Sequence, residues 1–238
     1  AQGTADYLIQ AGLAKQGMVI GYDMRFLSED FAKTVAEVFA GNGIHAYVSK
    51  TAAPTPVNSY AILPLKAAGG VWITASHNPH TDNGYKLRSS YGGAAAPEVL
   101  TQVEQHIIEA QAAGRVKTLD LDTAEKQGLA ETLDIETSYI EHLKALLDWQ
   151  PIRDAGLRLV VDPMWGVGQG WFPRLLGGGN TSIREIHDER NPLFPRMKRP
   201  EPIGENLQDL FATVKEPGAD AGVAFDGDAD RVGFCNEK

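Results

Sequence analysis

The sequence contains one cysteine, Cys235, among 238 residues, so an internal disulfide is excluded. It also lacks any apolar run of about 18 residues, the length that a transmembrane helix needs. Basic residues are the minority, 22 against 31 acidic ones, and the net charge of −9 argues against a general nucleic-acid or anionic-membrane surface. We therefore expect a cytoplasmic protein whose partners are small molecules, with no nucleic-acid or membrane partner and an oligomeric state that the sequence leaves open.

The N-terminal segment AQGTADYLIQAGLAKQG has neither the basic nor the apolar region of a secretory signal, and the chain does not begin with Met. We interpret the chain as a trimmed protein or a fragment. Its composition, 43% hydrophobic and 22% charged, is ordinary for a globular protein with one large core or two medium ones.

Short apolar runs alternate with helical patterns through the first half of the chain. MVIGYD, HAYVSK and GVWITAS predict strands, and YKLRSS adds a further one. SEDFAKTVAEVFAGNG predicts a helix between the first two, the segment after Pro56 predicts a second helix closed by Gly69 and Gly70, and a third helix begins near Pro97. This pattern predicts an α/β unit.

The stretch 114–132 is mostly polar without a convincing period, and we interpret it as a connection. A helix through SYIEHLKALLDW follows. LRLVVDP, TSIREIH and DAGVAF then predict strands, separated by GVGQGWFPRLL, a turn leading into a helix, and by a helix in ENLQDLFATVKE. The predicted fold is therefore α/β, with two successive three-layer α/β/α units of mixed, largely parallel sheets, over 1–132 and 133–238.

The most polar loop of the second unit, DGDADR, follows its third strand. It places Asp226, Asp228 and Asp230 at alternate positions, where three carboxylates suit a hard divalent cation such as Mg²⁺. Two alternatives stay open: a solvated acidic turn, and an aspartyl-phosphate phosphatase in which Asp226 is the nucleophile and Asp228 the acid/base.

The matching loop of the first unit, TASHNPHTDNGYK, follows its third strand. It offers Ser76 as a nucleophile, with His77 or Lys86 to activate it. The alternative is a pair of turns without chemistry, in a non-catalytic sugar-phosphate or metal-binding module. Because ligands of α/β sheets gather beyond the carboxyl ends of strands, the two loops are expected to face a shared cleft.

Four segments together resemble the α-D-phosphohexomutases, the family of phosphoglucomutases and phosphomannomutases. They are GYDMR, TASHNP with NGYK downstream, FPRMKRPEPIGENL and DGDADR. The resemblance implies that Ser76 carries a phosphoryl group and, with the three aspartates, holds Mg²⁺, while Arg231 contacts the phosphoryl. It favours Lys86 over His77 as the acid/base, and it leaves Arg25 either as a support for the serine loop or as a surface ion-pair partner.

The resemblance also implies the substrates. The parent enzyme would interconvert hexose 1-phosphate and hexose 6-phosphate, of glucose or mannose, through a sugar bisphosphate intermediate. Phosphopentomutase and phosphoglucosamine mutase remain alternatives because they share closely similar serine loops, and Asp82, which stands where many members have an aromatic residue, has an aspartate counterpart in some phosphopentomutase-like relatives. The family has four domains. The opening strand and domains III and IV have no counterpart here, so we expect the chain alone to show little or no activity.

Overall fold

Two separate β-sheets divide the chain, as the repeated pattern of strands and helices predicts. A computed structural model describes residues 1–216 and 218–236. The first sheet has the order β4-β3-β1-β2-β5 and the second the order β7-β6-β8-β9. In each sheet one edge strand, β4 or β9, is antiparallel and all other pairings are parallel. Both sheets are therefore mixed and largely parallel.

The first sheet places its most apolar strands at the centre. Every residue of its strands β1 and β3 is buried, as expected for parallel strands covered by helices on both faces. Ile20 lies opposite Val48 on one side and Val71 on the other. The strands are β1 (Met18–Tyr22), β2 (Ala46–Ser49), β3 (Gly69–Ile73), β4 (Tyr85–Ser89) and β5 (Ala130–Leu133).

Helices cover both faces of this sheet and create two apolar clusters. Phe39 of α2 packs with Ile20 on one face, and Ile62 of α3 packs with Trp72 on the other. Phe31 belongs to the same helix as Phe39 but is 44% exposed. The helices are α1 (Gln2–Gln10), α2 (Ser28–Gly41), α3 (Thr55–Leu65), α4 (Pro97–Ala112) and α5 (Leu121–Lys126).

Two details of the first unit differ from the sequence prediction. Gly69 and Gly70 do not close α3 but begin β3, where a side chain on Gly69 would collide with the carbonyl of Arg88 on β4. The segment 114–132 is not only a connection, because it contains α5 and most of β5. These two elements have six and four residues, which is too short for a clear hydrophobic period.

The second sheet repeats the arrangement with shorter elements around a smaller core. That core includes Val160, Leu210 and Ala224. The division near residue 133 remains a prediction, and residues 237 and 238 of the predicted second unit lie outside the described residues. The elements are α6 (Glu136–Leu146), α7 (Trp149–Asp154), β6 (Arg158–Asp162), α8 (Trp171–Leu176), β7 (Ser182–Glu185), α9 (Gln208–Val214), β8 (Ala221–Phe225) and β9 (Val232–Cys235).

None of the helices described in 1–216 and 218–236 has the length and apolar character required to cross a membrane.

Candidate active site

The serine loop begins where β3 ends. Ser76 takes a left-handed backbone conformation with φ of 53°, and its N–H donates to the Thr74 hydroxyl at 2.8 Å. Its side chain is buried. A non-glycine residue in this conformation costs of order 1 to 3 kcal/mol, and such strain persists only where neighbours fix it.

The Arg25 side chain binds the backbone of this loop. Its guanidinium donates to the carbonyls of Ser76 and Asn78, both at 2.7 Å, and also to those of Pro79 and Asp82. It is 1% exposed and pairs with Asp23 at 3.2 Å. One buried cation therefore holds four carbonyls of the loop.

The aspartate loop follows β8 in the same way. The backbone N–H groups of Asp230 and Arg231 both donate to Asp226 Oδ1 at 3.0 Å, which folds the loop around this carboxylate. Asp226 and Asp228 are fully buried, and Asp230 is exposed. One oxygen from each of the three carboxylates lies within 4.8 Å of the others.

The two loops meet in one cleft, as their positions after the third strands predict. Ser76 Oγ donates to Asp226 Oδ2 at 3.1 Å. Gly227 makes the approach possible, because a Cβ at this position would lie 2.6 Å from the Ser76 carbonyl oxygen. The serine and the aspartates therefore form a single site between the loops that follow β3 of the first sheet and β8 of the second.

Two cations line this site. Arg231 donates to Asp226 Oδ2 through Nε and Nη2 at 3.0 and 2.9 Å, and Nη2 lies 3.4 Å from Ser76 Oγ. Lys86 Nζ lies 3.2 Å from Asp228 Oδ2, so it contacts the aspartate loop rather than Ser76.

Burial and neighbouring charges shift the pKa values of Asp226 and Asp228 in opposite directions. Burial, with repulsion from Asp228 and Asp230, raises the pKa of Asp226 to about 6. Burial also acts against ionisation of Asp228, but the charge of Lys86 and the Thr55 hydroxyl outweigh it and lower the pKa of Asp228. Asp228 is therefore the more firmly ionised of the two buried carboxyls.

The buried oxygens fit a divalent cation. Asp228 Oδ1 is buried and has no hydrogen-bond partner among the described residues. Such an oxygen is costly unless a donor or a cation satisfies it. Three carboxylate oxygens within one small volume are the hard ligands that Mg²⁺ prefers. Asp226, Asp228 and Asp230 could hold the ion, with Ser76 Oγ beside them.

The structure brings every predicted site residue into or beside this cleft. His77 Nδ1 lies 3.4 Å from Ser76 Oγ, and burial, with the charge of Arg231, lowers the pKa of His77. Arg25 is not a surface ion-pair partner, because it is buried beneath the serine loop.

Two residues escaped the sequence prediction. Thr55, at the start of α3, donates its hydroxyl to Asp228 Oδ2 at 2.9 Å. Glu201, in the long loop before α9, accepts from Arg231 Nη1 at 3.0 Å. Glu201 lies within FPRMKRPEPIGENL, one of the segments that carry the family resemblance, and that segment is the signal for it, whereas nothing in TAAPTPV distinguishes Thr55.

Comparison with known proteins assigns both halves of the chain. Residues 1–113 match the phosphoglucomutase/phosphomannomutase alpha/beta/alpha domain I, and residues 137–238 match domain II of the same family. The chain belongs to the phosphoglucomutase/phosphomannomutase family.

Individual relatives agree with this assignment. A probable phosphomannomutase of Haemophilus influenzae is 34% identical over 98% of this chain and 48% of its own length. A phosphoglucomutase of Komagataeibacter xylinus is 31% identical over 100% of this chain and 46% of its own length. The chain thus spans about half the length of the curated relatives it matches.

Solved structures support the fold. The crystal structure of a protein from Thermus thermophilus assigned as a phosphomannomutase has a TM-score of 0.85 and 36% identity, over 99% of this chain and 51% of that one. A phosphoglucomutase/phosphomannomutase family protein from Burkholderia thailandensis has a TM-score of 0.79 and 26% identity, over 98% of this chain and 49% of that one.

Proposed function

We propose that this chain carries the phosphoryl-transfer centre of a phosphosugar mutase, with Ser76 as the residue that holds the transferred phosphoryl group. The observation that carries the proposal is the contact between Ser76 Oγ and Asp226 Oδ2 at 3.1 Å, with Arg231 Nη2 within 3.4 Å of the same hydroxyl. The serine is thus placed against carboxylates that suit a cation and a guanidinium that suits a phosphoryl oxygen.

In the proposed reaction a sugar hydroxyl attacks the phosphorus of phosphorylated Ser76. The new bond joins phosphorus to the sugar oxygen, the bond to Ser76 Oγ breaks, and Oγ leaves as the alkoxide and takes up a proton. The bisphosphate then returns its other phosphoryl group to Oγ by the reverse step. The net result is an exchange between the 1- and 6-phosphates of a hexose.

The residues of the cleft have distinct proposed tasks. Arg231 donates to the equatorial oxygens of the transferring group. Lys86 is the proposed general acid/base, with His77 as the alternative: as the neutral amine Lys86 accepts the proton of the attacking hydroxyl, and as the ammonium it donates a proton in the reverse step. A bound Mg²⁺ would neutralise charge on the phosphoryl group and on the serine oxygen. Arg25 keeps Ser76 in its left-handed conformation through the carbonyls it binds.

The geometry disfavours Asp226 as a phosphatase nucleophile. Both of its carboxylate oxygens already accept hydrogen bonds, Oδ1 from two backbone N–H groups and Oδ2 from Ser76 and Arg231. The carboxylate is also fully buried. A nucleophile needs a lone pair directed at substrate, and the Ser76 hydroxyl is the better placed of the two.

The proposed substrates are glucose or mannose phosphates with the matching bisphosphate as intermediate. Relatives named phosphomannomutase and phosphoglucomutase support this choice, while others named phosphoribomutase and phosphoglucosamine mutase keep pentose and amino-sugar phosphates as alternatives. A cytoplasmic location, inferred from the single cysteine, is part of the same proposal.

Mass spectrometry with site mapping tests the proposal. The chain is incubated with glucose 1,6-bisphosphate and Mg²⁺, and one phosphoryl group is expected on Ser76. Ser76→Ala should remove it, and Ser90→Ala, an exposed serine after β4, should not. A hydroxylamine-sensitive phosphate on Asp226 would support the phosphatase instead, and no incorporation would support a binding module. Hexose phosphate turnover by the chain alone should be slight.

A further inference from the structure

The first domain contacts the aspartate loop through the start of helix α3. The Thr55 N–H donates to the Asp228 carbonyl and the Thr55 hydroxyl donates to Asp228 Oδ2, both at 2.9 Å. Thr55 is 6% exposed, so water does not compete freely for either hydrogen bond. Two bonds from one residue therefore fix both the backbone and the side chain of Asp228 from the opposite domain.

The two oxygens of Asp228 have different surroundings as a result. Oδ2 accepts from the Thr55 hydroxyl and from Lys86 Nζ, at 2.9 and 3.2 Å. Oδ1 is buried and, among the described residues, has no donor. A carboxylate whose one oxygen is occupied by two donors presents the other oxygen to a cation.

Thr55 is the more rigid of the two donors. It lies at the first position of α3 and is buried, whereas the Lys86 side chain is 36% exposed and reaches Asp228 along four flexible carbons. The hydroxyl is therefore the donor with the fixed geometry, and Lys86 supplies charge to the same oxygen without the same geometric restraint.

We propose that Thr55 is a positioning residue that holds Asp228 with Oδ1 directed at the divalent cation. The proposal rests on the metal site described under the proposed function. It means that a ligand of the second domain is oriented by a hydroxyl of the first, so cation affinity depends on how the two domains are docked. By linkage, the cation in turn favours the docked arrangement.

The test is a titration of the whole chain with Mn²⁺, in which electron paramagnetic resonance measures the concentration of the free ion. Thr55→Val keeps the shape and removes the hydroxyl, and Thr55→Ser keeps the hydroxyl. Loss of a group that orients a metal ligand typically weakens binding by about 10- to 100-fold, so we expect at least about tenfold for Thr55→Val. Thr55→Ser should stay within about threefold of the parent, because the ligand orientation is kept.

Two further variants separate the possible failures. Asp226→Asn removes a proposed ligand and should abolish the specific site, and Thr51→Val removes an exposed hydroxyl of the same segment and should change nothing. If Thr55→Val binds Mn²⁺ as tightly as the parent while Asp226→Asn loses binding, the proposed role of Thr55 is overturned and the metal site is not. Equal binding by the parent and Asp226→Asn overturns the metal site itself. If Thr55→Val does not fold, Thr55→Ala is titrated instead against the same limits.

Discussion

Replacement of Arg25 by Met should destabilise the first domain far more than replacement of an exposed arginine. The side chain pairs with Asp23 at 3.2 Å and donates to four carbonyls of the serine loop. Four charge-assisted hydrogen bonds at about 1.5 to 3 kcal/mol each would suggest a loss of about 6 to 12 kcal/mol. That sum overstates the effect, because three of the four carbonyls belong to exposed residues and would bind water instead.

The loss of unfolding free energy is determined by the partners of Arg25 that water cannot reach. They are the Asp23 carboxylate, which is 3% exposed, and the buried carbonyl of Ser76. Removal of one partner from a buried ion pair costs about 3 to 5 kcal/mol, and we expect Arg25→Met to fall in this range. With a urea m value of about 3 kcal/mol per molar, the midpoint should decrease by at least about 1 M.

Urea unfolding monitored by the fluorescence of the four tryptophans, of which Trp72 is buried in the first domain, measures this effect. Arg115→Met is the matched control, because its pair with Asp6 is at the surface and worth about 1 kcal/mol or less. The double variant Asp23→Asn with Arg25→Met should be less destabilised than Arg25→Met alone, since no unpaired buried charge remains. Equal midpoints for the Arg25 and Arg115 variants would refute the reasoning.

Three further substitutions test contacts at the site and at one helix start. Gly227→Ala should cost about 1 to 3 kcal/mol and weaken Mn²⁺ binding, because its Cβ meets the Ser76 carbonyl, whereas Gly204→Ala has open space and should be neutral in urea unfolding. Glu201→Gln should slow phosphorylation of Ser76 by about tenfold, or about 1.4 kcal/mol, because Arg231 loses its charged partner and is held less firmly. The control is Glu205→Gln at an exposed position, and equal rates for the two variants would contradict this prediction. Asp134→Ala should destabilise α6 by about 1 kcal/mol near neutral pH. Hydrogen bonds from Thr137 lower the pKa of Asp134, so this stabilisation is lost as pH falls through the lowered value, and thermal unfolding from pH 7 to about pH 2 should show the two proteins converge.

Much of the fold could be predicted from the sequence because long, strongly patterned elements carry their own signal. The buried runs of β1 and β3 and the amphipathic helix α2 were recognised from apolar spacing alone. The short elements α5 and β5 were missed. The place of β5 in the sheet is set by its pairing with β2, and such pairing leaves little trace in four residues, while α5 has only six residues and contacts α2.

Some features of the candidate site could likewise be predicted from the sequence, and others could not. Ser76 and the three aspartates were predicted from their motifs and from their position after the third strand of each unit, since parallel strands direct their carboxyl ends to one edge of a sheet. Arg25 was identified, but its burial beneath the loop was not, because an arginine after a strand looks the same in sequence whether it meets water or four carbonyls.

Two contacts of the site could be read only from the folded chain. Thr55 and Asp228 are 173 positions apart, and Glu201 lies 30 positions before Arg231 in a loop without regular structure. The first contact depends on how the two folded units dock and the second on how a long loop folds back within one unit, and no local propensity encodes either geometry. The amino-acid sequence therefore specifies which chemical groups this family member carries and which strand ends they follow. The distances between these groups, their burial and the residues that orient them depend on the tertiary structure.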